Sequence, residues 1–156
     1  MRFPRSPLAA VLAAFVVVAA TVLPASSASE TGGTLETASG KHAIVVELAE
    51  TPPEREKGLM FRRSMAPDHG MLFDFDESRP VTMWMKNTLI PLDMLFMDEQ
   101  GVVTQVKRMA KPESLDLIPS GGPVRYVLEL NGGAAERFGV HQGDRLRHPL
   151  IPPGRR

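Results

Sequence analysis

Short stretches in which apolar and polar residues alternate follow one another through most of this chain of 156 residues. A period of two is that of a β-strand, whose successive side chains point to opposite faces of a sheet. Residues 41–49, 70–75 and 81–86 alternate in this way. Residues 92–97 are apolar on both faces and therefore predict a central strand.

Three further strands are predicted at residues 102–109, 124–130 and 145–148. The sequence Asp-Glu-Gln-Gly precedes the first of them and predicts a hairpin turn. Two short helices are expected at residues 52–61, where Thr and Glu residues form a capping box, and at residues 134–138. Seven short strands with two short helices indicate a mainly β (α+β) fold, a compact antiparallel β-sandwich or barrel.

The N-terminal segment has the three parts of a secretory signal peptide. Arg2 and Arg5 are followed by an uncharged apolar run over residues 8–23, and small residues lead to Ala28. This pattern predicts cleavage before Ser29 and export by the general secretory route to the periplasm or the medium. The alternative is an uncleaved anchor, but the apolar run is shorter than the ~20 residues that a membrane span needs. No stable membrane span is expected after cleavage.

The predicted signal peptide, residues 1–28, precedes a polar, Gly-rich segment that we expect to be a flexible leader, residues 29–40, part of which could form an edge strand. Residues 41–148 are expected to form a single globular β domain, and residues 149–156 a loose tail. The chain contains no Cys, so the domain must be stabilised by packing without disulfides.

The charge balance of the chain disfavours a nucleic-acid partner. Eighteen Lys and Arg residues stand against eighteen Asp and Glu residues, and no basic run is interleaved with aromatic residues. The four His residues lack the spacing of a zinc site, and neither a Gly-Xaa-Ser-Xaa-Gly motif nor a Gly-rich phosphate loop is present. We therefore predict no catalytic residue, no metal ligand and no cofactor.

Several short motifs stand in a fixed order along the chain. They are Gly58-Leu59-Met60, Gly70-Met71-Leu72-Phe73, Trp84-Met85-Lys86-Asn87, Pro91-Leu92-Asp93 and Leu128-Glu129. In this order they resemble the family called domain of unknown function 192, and the resemblance covers about residues 42–148. It implies a compact, mainly β fold of jelly-roll-like kind and often an exported location. It implies no reaction.

A group of polar residues is the first candidate for a functional site. Lys86 and Asn87 end one predicted strand, Asp93 begins the next, and Glu129 interrupts an apolar strand. A buried carboxylate near a Lys would have a perturbed pKa, which is typical of functional sites. The alternative is a structural ion pair with loop hydrogen bonds. For Glu129 we prefer a buried position paired with Lys86 over a position on the surface.

Trp84 and Arg55 complete the predicted ligand-binding set, although a solvated helix face is the simpler explanation of Arg55. With the predicted export, the set favours an exported cell-envelope protein of unknown activity. We interpret it as a non-catalytic binding module for a small polar ligand or an envelope polysaccharide.

Two other functions remain open at this point. Eight Met residues lie between Met60 and Met109, and the thioethers of Met83 and Met85 could hold Cu(I) in an exported protein, although Met is also a common core residue. Alternatively, the chain could be a hydrolase or lyase that uses Asp93 or Glu129 as its base.

Overall fold

The structure is a computed structural model that describes residues 30–153. The predicted signal peptide and the last three residues of the predicted tail lie outside this range. In chain order the elements are β1 (Glu30–Thr37), β2 (Gly40–Ala49), α1 (Pro52–Lys57), β3 (His69–Met83), β4 (Leu92–Met97), β5 (Val103–Ala110), β6 (Ile118–Asn131), α2 (Ala134–Arg137) and β7 (Arg145–Arg147).

The seven strands form one sheet in the order β5-β4-β6-β3-β2-β1-β7. All neighbouring pairs are antiparallel except β2 and β3, which are parallel. Parallel neighbours need a crossover connection, and the segment that contains α1 provides it. The predicted mainly β fold with two short helices is confirmed.

The sheet curls until its two outer strands approach each other. The amide of Val103 donates to the carbonyl of Asp144 at 2.8 Å, and the amide of Leu146 donates to the carbonyl of Gly101 at 2.9 Å. A single β-bridge between Val102 and Arg145 lies in the same region. The sheet is therefore a half-barrel with a concave inner face and a convex outer face.

Each face carries its own hydrophobic core. All seven strands contribute to the inner-face core, through Leu35, Ile44, Leu72, Leu95, Val103, Leu128 and Leu146 among others. The outer-face core lies on the central strands and under α1, and includes Leu59, Met71, Phe73, Met85, Met94, Phe96 and Val127. Alternation along β4 explains the division, because its odd-numbered apolar residues lie in the first core and its even-numbered ones in the second.

The predicted hairpin between the central strand and its successor is confirmed. β4 and β5 pair in antiparallel fashion. The Asp98 carboxylate accepts hydrogen bonds from the amides of Gln100 and Val102 at 2.8 and 2.9 Å. The turn sequence thus satisfies its own backbone donors, which is why it could be recognised from the sequence.

Two strands are longer than predicted. β3 continues through the residues expected to separate two strands, with a register shift against β6 between Asp74 and Arg79. β6 begins at Ile118 and includes Pro119 and Pro123. The shift also moves Val124 into the outer-face core, whereas strict alternation places it with the inner-face residues.

Both ends of the domain are more ordered than the composition suggests. Residues 30–37 of the expected flexible leader form β1, which is not an edge strand, because it pairs with β2 on one side and β7 on the other. Its one fully buried apolar side chain, Leu35, belongs to the inner-face core. The expected loose tail is wrong at Ile151, which is 7% exposed and packs into the same core. Backbone pairing on both edges orders a segment that has little apolar surface of its own.

Candidate functional site

A cleft on the outer face lies between α1, the residues after β3, and β6. It has an open groove of about 330 Å³ and a narrow recess of about 30 Å³. Glu56, Lys57, Met60, Trp84 and Lys86 line both parts, so the groove and the recess are continuous. We call this feature the outer-face cleft.

Helix α1 forms one wall of the cleft, and residues close to it in sequence determine where it begins and ends. Thr51 accepts a hydrogen bond from the Glu54 amide, and the Glu54 carboxylate accepts one from the Thr51 amide, which completes the predicted capping box. α1 ends at Lys57 rather than at residue 61, because Gly58 has a φ of 47°. A Cβ at Gly58 would lie 3.1 Å from the Phe73 ring, so the glycine lets α1 approach the sheet.

Arg55 connects α1 to the sheet through hydrogen bonds and an ion pair. Its guanidinium donates to the carbonyl oxygens of Asp74, at 2.6 Å, and of Glu50, and forms an ion pair with the Asp76 carboxylate at 3.2 Å. Arg55 also lines the recess. With three oxygen partners in place, its main role is to position α1.

Two exposed aromatic side chains stand at the groove. Phe61 is 65% exposed and Trp84 is 42% exposed. The Lys86 ammonium nitrogen lies 5.0 Å from the centre of the Trp84 ring, a cation–π contact. Apolar surface of this kind, next to polar groups, is typical of binding sites.

The backbone next to the groove adopts unfavourable conformations. Phe61 has a φ of 64° and Asn87 has a φ of 56°, in the region that non-glycine residues rarely enter. The Phe61 amide donates to the Asn87 carbonyl at 2.8 Å, and the Asn87 side-chain amide contacts the Met60 sulfur at 3.7 Å. Such strain costs on the order of 1–3 kcal/mol per residue and is concentrated at functional sites.

Glu129 faces the recess from β6. It pairs with Met71 of β3 and Met94 of β4, both members of the outer-face core, and is 4% exposed. Burial raises the pKa of Glu129 to about 8. Within residues 30–153, no Lys, Arg or His nitrogen lies within 4.0 Å of its carboxyl oxygens, so the expected pairing with Lys86 is wrong although the expected burial is confirmed.

The Glu129 carboxyl group keeps some contact with the cleft. In the described part of the chain, every side-chain nitrogen or oxygen that is fully shielded from solvent has a hydrogen-bond partner. The Glu129 carboxyl group has no hydrogen-bond partner among the described residues, so it is not among these fully shielded groups. Burial is the sole cause of its raised pKa. Its oxygens are therefore open to a group that enters the recess.

Asp93 lies away from this cleft. It is 0% exposed, and its two carboxylate oxygens accept hydrogen bonds from the amides of Met109 and Ala135, each at 2.7 Å. It is paired with Leu130 on β6, one position beyond Glu129, and adjacent positions face opposite sides of a sheet. Asp93 is thus an inner-face structural residue and cannot share an acid–base role with Glu129.

The structure therefore brings together Trp84, Lys86, Asn87, Arg55 and Glu129 from the predicted set and separates Asp93 from them. Reasoning from the sequence missed Lys57, Met60 and Phe61, which follow Arg55 around the end of α1. Their signal was the Gly-Leu-Met motif, which we used for the resemblance but not for the site.

Met83 and Met85, the two residues of the copper hypothesis, do not lie at one common site. Met85 is fully buried in the outer-face core, whereas Met83 is half-buried and lines the recess. No cluster of three or more His, Asp or Glu residues in metal-binding arrangement occurs among residues 30–153. Over the same range, none of the helices has the length and apolar character required to cross a membrane.

A larger cavity, of about 620 Å³, lies between β1 and β7. Two of its polar side chains have partners: the His148 ring bonds to the Thr31 hydroxyl at 2.6 Å, and Arg147 bonds to Glu36 at 2.9 Å. It also borders the end of the described chain at residues 152–153. The outer-face cleft is the stronger candidate because it contains a buried polar group without a partner.

Fold and cleft together define a class: small curled-sheet domains with a polar recess on the convex face. The family model of domain of unknown function 192, described as Uncharacterized ACR, matches residues 34–148. The chain belongs to this family. The comparison with curated proteins found no match.

Two solved structures are similar over most of the chain. A Sinorhizobium meliloti 1021 protein, provisionally named a transcription regulator, has 54% sequence identity and a TM-score of 0.78, with 80% of this chain and 98% of that chain covered. A protein of unknown function from Novosphingobium aromaticivorans DSM 12444 has 37% identity and a TM-score of 0.76, with 84% and 94% covered.

Proposed function

We propose that this chain is an exported, non-catalytic binding module of the cell envelope that holds a sugar or a similar small polar ligand in the outer-face cleft. The observation that carries the proposal is the placement of Glu129, a buried acid without a partner, at the bottom of a cleft flanked by exposed Phe61 and Trp84. Ligand sites combine apolar and aromatic walls with a few converging polar groups.

The groove matches the size and chemistry of such a ligand. Its volume of about 330 Å³ is at the small end of ligand pockets, which suits one or two sugar rings. Trp84 supplies an apolar face for a ring, and Lys86 and Asn87 supply polar groups beside it. The positive-φ backbone at Phe61 and Asn87 lies beside the groove, and strained residues of this kind are common at binding sites.

Export is part of the proposal and rests on the N-terminal sequence. Cleavage before Ser29 would leave β1 complete, since this strand begins at Glu30. Expression with the chain's own leader in a Gram-negative host should yield a periplasmic protein that begins at or near Ser29. A membrane-retained product that still begins at Met1 would contradict this part of the proposal.

The name of the Sinorhizobium protein suggests a nucleic-acid ligand instead. Nucleic-acid binding depends on a marked excess of positive charge on the contacting surface. This chain has as many acidic as basic residues, and several of its Arg residues, including Arg55, Arg62 and Arg125, are engaged by carboxylates. The charge balance favours a small ligand over a nucleic acid.

A second candidate function is the binding of Cu(I). The recess is lined by the thioethers of Met60 and Met83 and by the Glu129 carboxyl group, which are possible ligands for a soft cation. The ammonium groups of Lys57 and Lys86 line the same recess and would repel a cation. The proposal of a sugar or small polar ligand is therefore preferred.

Trp84 is the only Trp in the chain, so its fluorescence reports on the cleft alone. The test is a titration of the exported protein with a panel of monosaccharides and disaccharides, followed by fluorescence and by calorimetry. We expect saturable changes and affinities that Trp84→Ala and Phe61→Ala each weaken about threefold to tenfold, as for the loss of one aromatic contact.

Leu117→Ala is the matched control, because Leu117 is also an exposed apolar side chain but does not line the cleft. It should leave affinity unchanged. Absence of both a fluorescence change and a heat signal across the panel would overturn sugar binding, and saturable binding of Cu(I) in a parallel titration would then support the second candidate.

A further inference from the structure

The charges around the outer-face cleft are unbalanced. Lys57 and Lys86 line it, and in the described part of the chain neither ammonium group lies within 4.0 Å of a carboxylate. Arg55 is already paired with Asp76. Glu56 is the one other carboxylate among the lining residues besides Glu129. Two cations without a carboxylate partner among residues 30–153, against one carboxylate besides Glu129, favour an anionic ligand.

The groups that face Glu129 can be assigned by element. From α1 they are Arg55, Glu56 and Lys57, and from the residues after β3 the charged group is Lys86. Its partners on the neighbouring strands β3 and β4 are Met residues, which do not titrate. Glu129 thus has thioether side chains beside it on both neighbouring strands, and the charged residues of its recess are three cations and the Glu56 carboxylate.

The recess sets the size of the group that can reach Glu129. About 10–15 Å³ is enough to hold one water, so a recess of about 30 Å³ accepts a group such as a single hydroxyl. Burial raises the pKa of Glu129 to about 8, so the carboxyl group is mainly uncharged at pH 7 and can both donate and accept a hydrogen bond.

We infer that the ligand of the outer-face cleft is an acidic sugar, whose carboxylate lies against Lys57 and Lys86 at the mouth and one of whose hydroxyl groups enters the recess to bond with Glu129. This inference rests on the proposed function. It names the class of sugar: one that carries both a carboxylate and neighbouring hydroxyl groups.

The first experiment compares glucuronate with glucose, which share a ring and differ in the carboxylate. Calorimetry and Trp84 fluorescence at pH 6.5 should show glucuronate bound about tenfold or more tightly, as expected for charge-assisted hydrogen bonds. The double variant Lys57→Met, Lys86→Met should reduce this ratio to near one. Lys107→Met, an exposed Lys on β5 outside the cleft, is the matched control and should leave it unchanged.

The outcomes separate this inference from the proposed function. Equal affinity for glucose and glucuronate would overturn the acidic-sugar inference and leave sugar binding in place. Failure of both sugars to bind would overturn both.

The second experiment tests Glu129 itself. As pH rises from 6 to 9, an ionised Glu129 adds a negative charge near the ligand carboxylate, so the affinity for glucuronate should fall about tenfold. Glu129→Gln keeps a hydrogen-bonding group and cannot ionise, so its affinity should stay nearly constant and exceed that of the wild type at pH 9. Circular dichroism at each pH verifies that the variant is folded. An equal loss of affinity in Glu129→Gln would overturn the assignment of Glu129.

Discussion

The two faces of the sheet hold buried carboxyl groups under opposite conditions. Asp93, on the inner face, accepts hydrogen bonds from two backbone amides at 2.7 Å. Glu129, one register position away on the neighbouring strand, has no hydrogen-bond partner and faces a cleft. A partnered buried acid stabilises the fold, whereas a buried acid without a partner destabilises it and has to be explained by something else. The comparison shows that burial alone does not identify a functional residue.

The two helices show the same contrast between local and distant support. α1, on the outer face, is capped by its own Thr51 and Glu54. α2 has no side-chain cap of its own, and the amide of Ala135 in its first turn is satisfied by Asp93, 42 positions earlier in the chain. α2 therefore depends on the sheet, and α1 depends on its sequence.

The largest expected effect comes from Asp93→Ala. The substitution leaves the amides of Met109 and Ala135 buried without an acceptor, at about 1–3 kcal/mol each, so the free energy of unfolding should fall by roughly 2–6 kcal/mol. Urea unfolding measures it. A loss below about 1 kcal/mol would contradict the structural role of Asp93, and with it the comparison between the two acids.

Glu129→Met should instead raise the free energy of unfolding at neutral and alkaline pH. The unfolded chain releases this proton near its ordinary pKa of 4.5, and the folded chain keeps it to about 8. Between these values the folded state binds more protons, so wild-type stability falls as pH rises, and the loss is complete above about 8. Over this window it amounts to at most roughly 5 kcal/mol, at about 1.4 kcal/mol per unit of pKa difference.

The Met variant cannot titrate at this position, so it should be similar in stability to the wild type near pH 5 and more stable near pH 8.5. Unfolding of both proteins at several pH values isolates Glu129, because other groups such as His148, whose pKa burial lowers, are common to both. A constant difference in stability across the pH range would show that Glu129 ionises normally in the fold.

The smallest effect is expected for Thr51→Ala. Loss of the capping side chain should reduce the free energy of unfolding by about 1 kcal/mol. Because α1 forms a wall of the outer-face cleft, ligand affinity should fall with it. Thr104→Ala, on β5 outside the cleft, is a control for the loss of a Thr hydroxyl bonded to the backbone; this hydroxyl donates to the Phe96 carbonyl, whereas that of Thr51 accepts from the Glu54 amide. Unchanged ligand affinity in Thr51→Ala, or an equal loss of affinity in Thr104→Ala, would contradict the role of α1.

Much of the fold could be predicted from local patterns. The hairpin turn at Asp98, the capping box at Thr51 and the alternation along β2 are each encoded within a few residues. The ordered position of β1 inside the sheet could not be predicted, because this strand is held by hydrogen bonds to distant strands on both sides. The extension of β6 through Pro119 and Pro123 was hidden for a related reason, since it depends on the shifted register of β3.

The candidate site was predicted in part. Trp84, Lys86, Asn87 and Glu129 were recognised because polar or bulky residues interrupt apolar strands or end them. The error concerned Asp93, which has the same local pattern as Glu129. Whether such an acid meets backbone amides or an open recess depends on what the chain places over that face.

The sequence by itself determined the strand content, the short capped helix, the family and a shortlist of polar residues, because period, turn chemistry and capping are local properties. Only the tertiary structure decided that Asp93 and Glu129 face opposite sides of the sheet with opposite surroundings. The physical reason is that a side chain's partners come from distant segments: α2 and β5 supply amides to Asp93, whereas α1 and the residues after β3 leave Glu129 open to the cleft.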